Sequence, residues 1–211
     1  MRELKKGYLE FKKSFKEYQE LFKELIEKGQ HPKSFFITCS DSRIVPHLIT
    51  NSKPGDLFVS RNIGNFVPPF SKEAEFSSAA SALEYAVEVL NVENIIVCSH
   101  SDCGAIASLF KDIKPSISNI NIRKWLSLGE EVKEKTIKDM PKAPLDEKKE
   151  YAQKISAIFQ IKNLLTYPFV EERVKKNTLK LYAWYYNIEE GEILVYSFKD
   201  KRYIPLEEFD E

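Results

Sequence analysis

Apolar residues near the start of the chain fall at Leu4, Tyr8, Phe11, Phe15, Tyr18, Phe22 and Leu25. The steps alternate between four and three, which draws one stripe along a helix. Lys, Glu and Gln fill most of the positions between, and Gly29 suits the helix end. Residues 1–29 are therefore expected to form an N-terminal helical arm. The stripe is narrow and aromatic. It either covers the chain's own core or reaches onto a partner subunit.

Beyond the arm the period shortens. Ser34-Phe35-Phe36-Ile37-Thr38-Cys39 is rich in aromatic and β-branched residues and predicts a first strand. A brief helix over 44–50 and a turn at Lys53-Pro54-Gly55-Asp56 follow. A second strand is expected over 57–60, ending in Arg61-Asn62-Ile63-Gly64-Asn65. Residues 73–90 predict a helix with Ala79, Ala82, Leu83, Ala86, Val87 and Leu90 on one side. Asn94-Ile95-Ile96-Val97-Cys98 is almost wholly apolar, as a central parallel strand should be. A helix over 104–110 comes next.

The stretch 111–150 changes character, with Pro115, Pro141, Pro144 and many charges. Trp125, Leu126 and Leu128 suggest a helix inside what otherwise reads as a surface excursion. Helices over 150–165 and 169–176, a strand over 178–184, a turn at Glu190-Gly191 and a strand over 193–198 complete the pattern. Strands alternating with helices predict an α/β fold in a single domain, 1–211. The sheet should be mainly parallel and flanked by helices, with an antiparallel C-terminal edge strand and the extended N-terminal helix outside it.

Composition narrows the function. Lys plus Arg and Asp plus Glu both number 32, so no net charge draws the chain to nucleic acid or to an anionic membrane. No apolar run has the length of a membrane helix. Met1-Arg2-Glu3-Leu4-Lys5-Lys6 is followed by more charge and no apolar segment, which argues against a signal peptide and for the cytoplasm. Three cysteines are an odd number for a disulfide framework and favour metal or catalytic use.

Two short motifs then stand out: Cys39-Ser40-Asp41-Ser42-Arg43 and His100-Ser101-Asp102-Cys103-Gly104. In open α/β sheets ligands bind beyond the carboxyl ends of the strands, and Cys39, Arg61 and His100 all fall at such ends. Two thiolates and one imidazole (Cys39, Cys103 and His100) are a preferred set for zinc and leave a fourth position open. Zinc neutralised by two thiolates acidifies water less than a three-histidine site does, so a helper is needed. Asp41 is placed to orient zinc-bound hydroxide, and Arg43 to hold Asp41 ionised. Carbon dioxide is the simplest small neutral electrophile for such a nucleophile. Cys98, mid-strand among apolar neighbours, is expected to be core. Arg61 serves either as a pocket residue or as a sheet anchor. His31 and His47 are candidate proton shuttles.

The paired motifs resemble those of the β-class carbonic anhydrases, from about Gly29 to Gly104 and more weakly to the C-terminal strands. The resemblance implies zinc on Cys39, His100 and Cys103, with Asp41 and Arg43 as catalytic dyad. The implied reaction is reversible hydration of carbon dioxide to bicarbonate and a proton. Gln30, within Gly29-Gln30-His31-Pro32-Lys33, matches the substrate-binding glutamine of the plant-type subtype. Phe58, Ile63 and Tyr85 match its pocket, and the Gly104 amide is implied in substrate contact. Phe36 stands where the bicarbonate-inhibited subtype carries tryptophan. Ser99 replaces the usual glycine before the motif histidine. The family further implies a homo-oligomer, dimer or tetramer, with Gln30, Phe58 and Tyr85 facing the metal across the interface. Two alternatives use the same zinc: hydrolysis of carbonyl sulfide or carbon disulfide, and a non-catalytic, zinc-stabilised protein that binds a partner.

Overall fold

The computed structural model describes residues 1–73 and 77–210. Its strands are β1 (Ser34–Cys39), β2 (Leu57–Asn62), β3 (Asn94–His100), β4 (Lys180–Tyr186), β5 (Ile193–Ser197) and β6 (Arg202–Pro205). They form one sheet in the order β2-β1-β3-β4-β5-β6. The first four run parallel, and β5 and β6 return antiparallel. The antiparallel edge therefore has two strands where the sequence announced one. The second is four residues long and ends in Pro205, too short and too broken for an alternating pattern to show.

The chain leaves β1 for β2 on one side, then crosses back to lay β3 on the other side of β1. That reversal opens a crevice beyond the carboxyl ends of β1 and β3, the place where open α/β sheets bind ligands. Cys39 ends β1 and His100 ends β3. Thr38 Oγ1 donates to the Cys98 carbonyl at 2.9 Å and fastens the two strands just before they diverge.

The helices are α1 (Arg2–Ser14), α2 (Gln19–Lys28), α3 (Pro46–Ile49), α4 (Ser78–Glu84), α5 (Gly104–Ser108), α6 (Ile120–Leu126), α7 (Glu130–Asp139), α8 (Leu145–Leu164) and α9 (Pro168–Lys175). One face of the sheet, with Phe35, Ile37, Ile95 and Val97, packs with Leu83, Val87, Ile161 and Leu164 of the neighbouring helices. The alternate residues Phe36, Ile96 and Cys98 form a smaller cluster on the other face. A third cluster, around Cys39, Phe66, Cys103, Ile106, Leu126 and Val132, lies under the ends of β1 and β3. It draws on α5, α6, α7 and α8, so α6 and α7, within the 111–150 stretch, bury Leu126, Val132 and Thr136.

The helix expected over 73–90 begins at Ser78, and Ser77 Oγ caps it by accepting from the Ala80 N–H. Residues 74–76 of that expectation lie outside the described residues. From Tyr85 to Val89 the helix widens into a π turn. Arg173 of α9 closes this turn, donating to the carbonyls of Val87 (3.0 Å), Val92 (2.9 Å) and Thr178 (2.9 Å). The arm is broken too: a 3-10 turn, Phe15–Glu17, separates α1 from α2. No residue of α1 or α2 is buried. The arm touches the body where the Leu25 side chain lies over Gly55, so a Cβ there would have to displace the leucine methyls.

Arg173→Ala removes three charge-assisted hydrogen bonds from carbonyls of the π turn and its surroundings. A loss of about 2–4 kcal/mol in urea unfolding is expected, with Arg173→Lys recovering only part because a single ammonium cannot span three carbonyls.

Candidate metal centre

Three side chains meet beyond the β1 and β3 ends. The ligand atoms of Cys39, His100 and Cys103 all lie within 4.8 Å of one another, and all three residues are buried. The local sequence explains the convergence. β1 and β3 deliver Cys39 and His100 side by side. Asp102 then turns the chain at φ 54°, which returns Cys103 toward the same point as N-cap of α5.

The imidazole is set for a cation. His100 Nδ1 lies 2.8 Å from the Ser101 carbonyl, which can only accept, so Nδ1 carries the proton. Nε2 is fully buried, makes no hydrogen bond of good geometry, and shares its surroundings with the two sulfurs. A buried orphan of that kind is unfavourable unless something binds it. The sulfurs tell the same story. The Cys39 thiol is lowered to about 4, first by a hydrogen bond from Cys103, against the opposing effect of burial. Cys103 is pushed up by the Cys39 thiolate and then by burial. Two sulfurs sharing one proton beside a free imidazole nitrogen are the donor set of a tetrahedral zinc site, and the residues fit that ion. Cys98 behaves differently. It is wholly buried and its thiol is raised to about 12 by burial, as an inert core residue should be.

Around the donors lies a lattice of hydrogen bonds. Asp41 Oδ1 accepts from the Arg43 backbone N–H (3.0 Å) and Nε (2.9 Å), and Oδ2 accepts from Nη2 (2.8 Å). Both carboxylate oxygens thus face Arg43, and its side-chain hydrogen bonds hold Asp41 well below the usual carboxylate range. Arg43 also donates to Asp102, through Nη1 to Oδ2 (2.7 Å) and Nη2 to the carbonyl (3.0 Å). One guanidinium therefore bridges the two motifs. Arg61 Nε donates to the Cys39 carbonyl (3.1 Å) and Nη2 to the Asp41 carbonyl (2.6 Å), so it props the first motif from beneath. Ser99 is buried and donates to the Trp184 carbonyl on β4 at 3.2 Å.

The remaining candidates divide. Ile63 and Gly104 sit beside the cluster. The Gly64 N–H, next to Ile63, donates to Cys39 Sγ at 3.4 Å. A carbon added at Gly104 would meet nothing within 4 Å, which leaves open space next to Cys103. Phe58 is elsewhere: it pairs with Phe35, four residues up β1 from Cys39, or about 13 Å along a strand. Its ring lies 5.8 Å from that of Tyr85, which is half exposed. Gln30 is exposed and precedes the start of β1. Phe58, and the Tyr85 ring against it, thus lie about a strand's length from the metal-ligand cluster of the same chain.

Comparisons with known proteins agree on a single family. A family model described as "Carbonic anhydrase" matches residues 34–193. A carbonic anhydrase of Helicobacter pylori is 39% identical over 206 residues, covering 96% of this chain and 93% of that protein. The solved structure of the β-carbonic anhydrase CcaA superposes with a TM-score of 0.90 at 36% identity, covering 97% of this chain and 91% of the other. The chain belongs to the β-class carbonic anhydrases. A structure described among two tetrameric β-carbonic anhydrases from Sordaria macrospora gives a TM-score of 0.79 at 26% identity, over 92% of this chain and 94% of that one. The β class is zinc-dependent, which agrees with the Cys39, His100 and Cys103 cluster.

Several contributors to this β-class site were not singled out in the sequence. Asp102 gives Arg43 its second carboxylate. Gln153, buried on α8, accepts from the Asp102 N–H at 3.2 Å. Gly64 supplies the N–H to sulfur. The repeated Asp in both motifs was the available signal for Asp102. Gln153 lies on a charged helix 51 positions away in the chain, where no local pattern marks it.

Gly64 has φ 79°, and a Cβ built on it would lie 3.0 Å from Ala105 Cβ and from the Phe66 ring. Gly64→Ala is expected to cost about 1–2 kcal/mol from the left-handed backbone alone, with more from crowding. Denaturant titration of the metal-free protein checks this.

Proposed function

We propose that the chain catalyses the reversible hydration of carbon dioxide to bicarbonate and a proton, with zinc held by Cys39, His100 and Cys103. The single observation that carries the metal assignment is the buried, unpartnered His100 Nε2 converging with two sulfurs. Zinc, when bound, supplies a Lewis acid that makes a water nucleophile accessible near neutral pH.

The chain's own groups do the rest. Asp41 stays ionised because Arg43 covers both its oxygens, and it accepts a proton-bearing contact from the attacking water, aiming the oxygen lone pair at carbon dioxide. Arg43 is the second member of the dyad. It fixes the carboxylate by a forked pair, and its contact with Asp102 prevents rotation. Ile63 offers an apolar wall, and Gly104 leaves open space next to Cys103. The product proton leaves to buffer, with exposed His47 on α3 the nearer of the two free histidines in sequence to the dyad.

Gln30, Phe58 and Tyr85 complete the substrate pocket from a second copy of the chain. Their separation from their own Cys39 supports this reading, as does the aromatic arm without a buried residue. Phe11 meets Phe15 edge to face and Phe15 stacks on Phe22, with centroids 5.6 Å apart at each step. A second copy gives that stripe a surface to cover. The Sordaria relatives described as tetrameric make a homodimer the minimum expectation and a tetramer an extension of it. The plant-type subtype suits buried Phe36 and an Asp41 turned to Arg43. Three free cysteines suit a reducing compartment such as the cytoplasm. Among the described residues no helix is long and apolar enough to cross a membrane. The relatives are named for carbon dioxide chemistry, which leaves the carbonyl sulfide or carbon disulfide hydrolase and the non-catalytic partner-binding protein without support.

Stopped-flow hydration of carbon dioxide tests the activity. Asp41→Ala should retain stoichiometric zinc and lose about 10–100-fold or more in kcat/KM; full activity in that variant would refute the role of Asp41. Light scattering tests the assembly. The native chain should be dimeric or larger, and Phe11→Glu with Phe22→Glu should shift it toward monomer with a parallel loss of activity, because each pocket needs its partner.

A further inference from the structure

Trp125 belongs to α6, in the proline-bordered stretch that the sequence set apart, and the reaction described above does not use it. Its indole is half buried, and Nε1–H donates to the Ile63 carbonyl at 2.7 Å. That carbonyl and the Gly64 N–H are the two ends of one peptide group. The other end donates to Cys39 Sγ at 3.4 Å. The peptide is thus held between an indole donor and a thiolate acceptor. Gly64 itself is buried, left-handed at φ 79° and hemmed by Ala105 and Phe66, so the peptide plane has little freedom to turn.

Hydrogen bonds in series polarise one another. A donor on the carbonyl draws electron density through the amide and makes its N–H a stronger donor at the far end. An N–H that donates to a metal-binding sulfur withdraws charge from it, so less is given to the metal. With two thiolates in the set, every decrement of sulfur donation leaves the cation a better Lewis acid.

We infer that Trp125 is a positioning residue that acts through the Ile63–Gly64 peptide to limit the charge Cys39 donates to the metal. The inference rests on the zinc assignment above. It gives the excursion a function: α6 carries an indole to the metal site, against the carbonyl of the peptide whose N–H meets Cys39 Sγ.

Cobalt in place of zinc provides the test, because the sulfur-to-cobalt charge-transfer band reports sulfur donation directly. Trp125→Phe removes the donor and keeps an aromatic ring. The band should move to longer wavelength, since a more electron-rich sulfur gives up its electron more easily. Replacing Trp125 by 3-benzothienylalanine keeps the indole outline, exchanges N–H for sulfur, and should produce the same displacement even if the phenylalanine variant folds poorly. Ile122→Ala loosens the same helix against the same cluster without touching the peptide, and its band should stay where the native one is. An unmoved band in the benzothienyl variant overturns the inference, as does an equal displacement in Ile122→Ala. Absence of any sulfur-to-cobalt band in the native protein would instead refute the metal assignment, so the two failures are distinguishable.

Discussion

Two sulfurs and an imidazole nitrogen, all buried and all within 4.8 Å, form a donor set that a cation stabilises. Left to themselves they reach an awkward compromise: one proton between two thiols and a nitrogen lone pair with nothing to bind. A divalent cation resolves both at once. The sheet topology exists, in this sense, to hold that arrangement in place. β1 and β3 are the pair at which the strand order reverses, and each ends in a ligand.

The surrounding hydrogen bonds convert a metal trap into a reactive site. Arg43 is engaged by both Asp41 and Asp102. Asp102 is held in turn by Gln153 from α8. A carboxylate so restrained keeps its charge and its direction. Such preorganisation costs nothing at the moment of reaction, which is where positioned dipoles and charges contribute most. The apolar half of the pocket is separated from all this by the length of a strand. That separation makes a second copy of the chain part of the proposed chemistry as well as of the packing.

Five of the six strands and the donor set were legible from sequence because each has a short-range signature. β1 occupies the span that its aromatic and β-branched run predicted, and the two short motifs bring Cys39, His100 and Cys103 into view as one donor set. Other features depend on contacts that no local pattern encodes. The π turn at Tyr85 relies on Arg173, distant in sequence. The arm breaks at Phe15 although the apolar spacing runs straight through it. α6 was signalled by Trp125 and Leu126, whereas α7 was obscured by the prolines and charges around it, yet Val132 is among the fully buried side chains. The tie from the Gly64 N–H to Cys39 Sγ spans 25 positions of the chain, and nothing local at Gly64 marks it.

X-ray absorption at the zinc edge, on native protein at neutral pH, addresses the central claim most directly. The predicted shell has two sulfurs at about 2.3 Å and light-atom ligands at about 2.0–2.1 Å, four neighbours in all. A protein purified without stoichiometric zinc, or a shell with any other number of sulfurs, would contradict it.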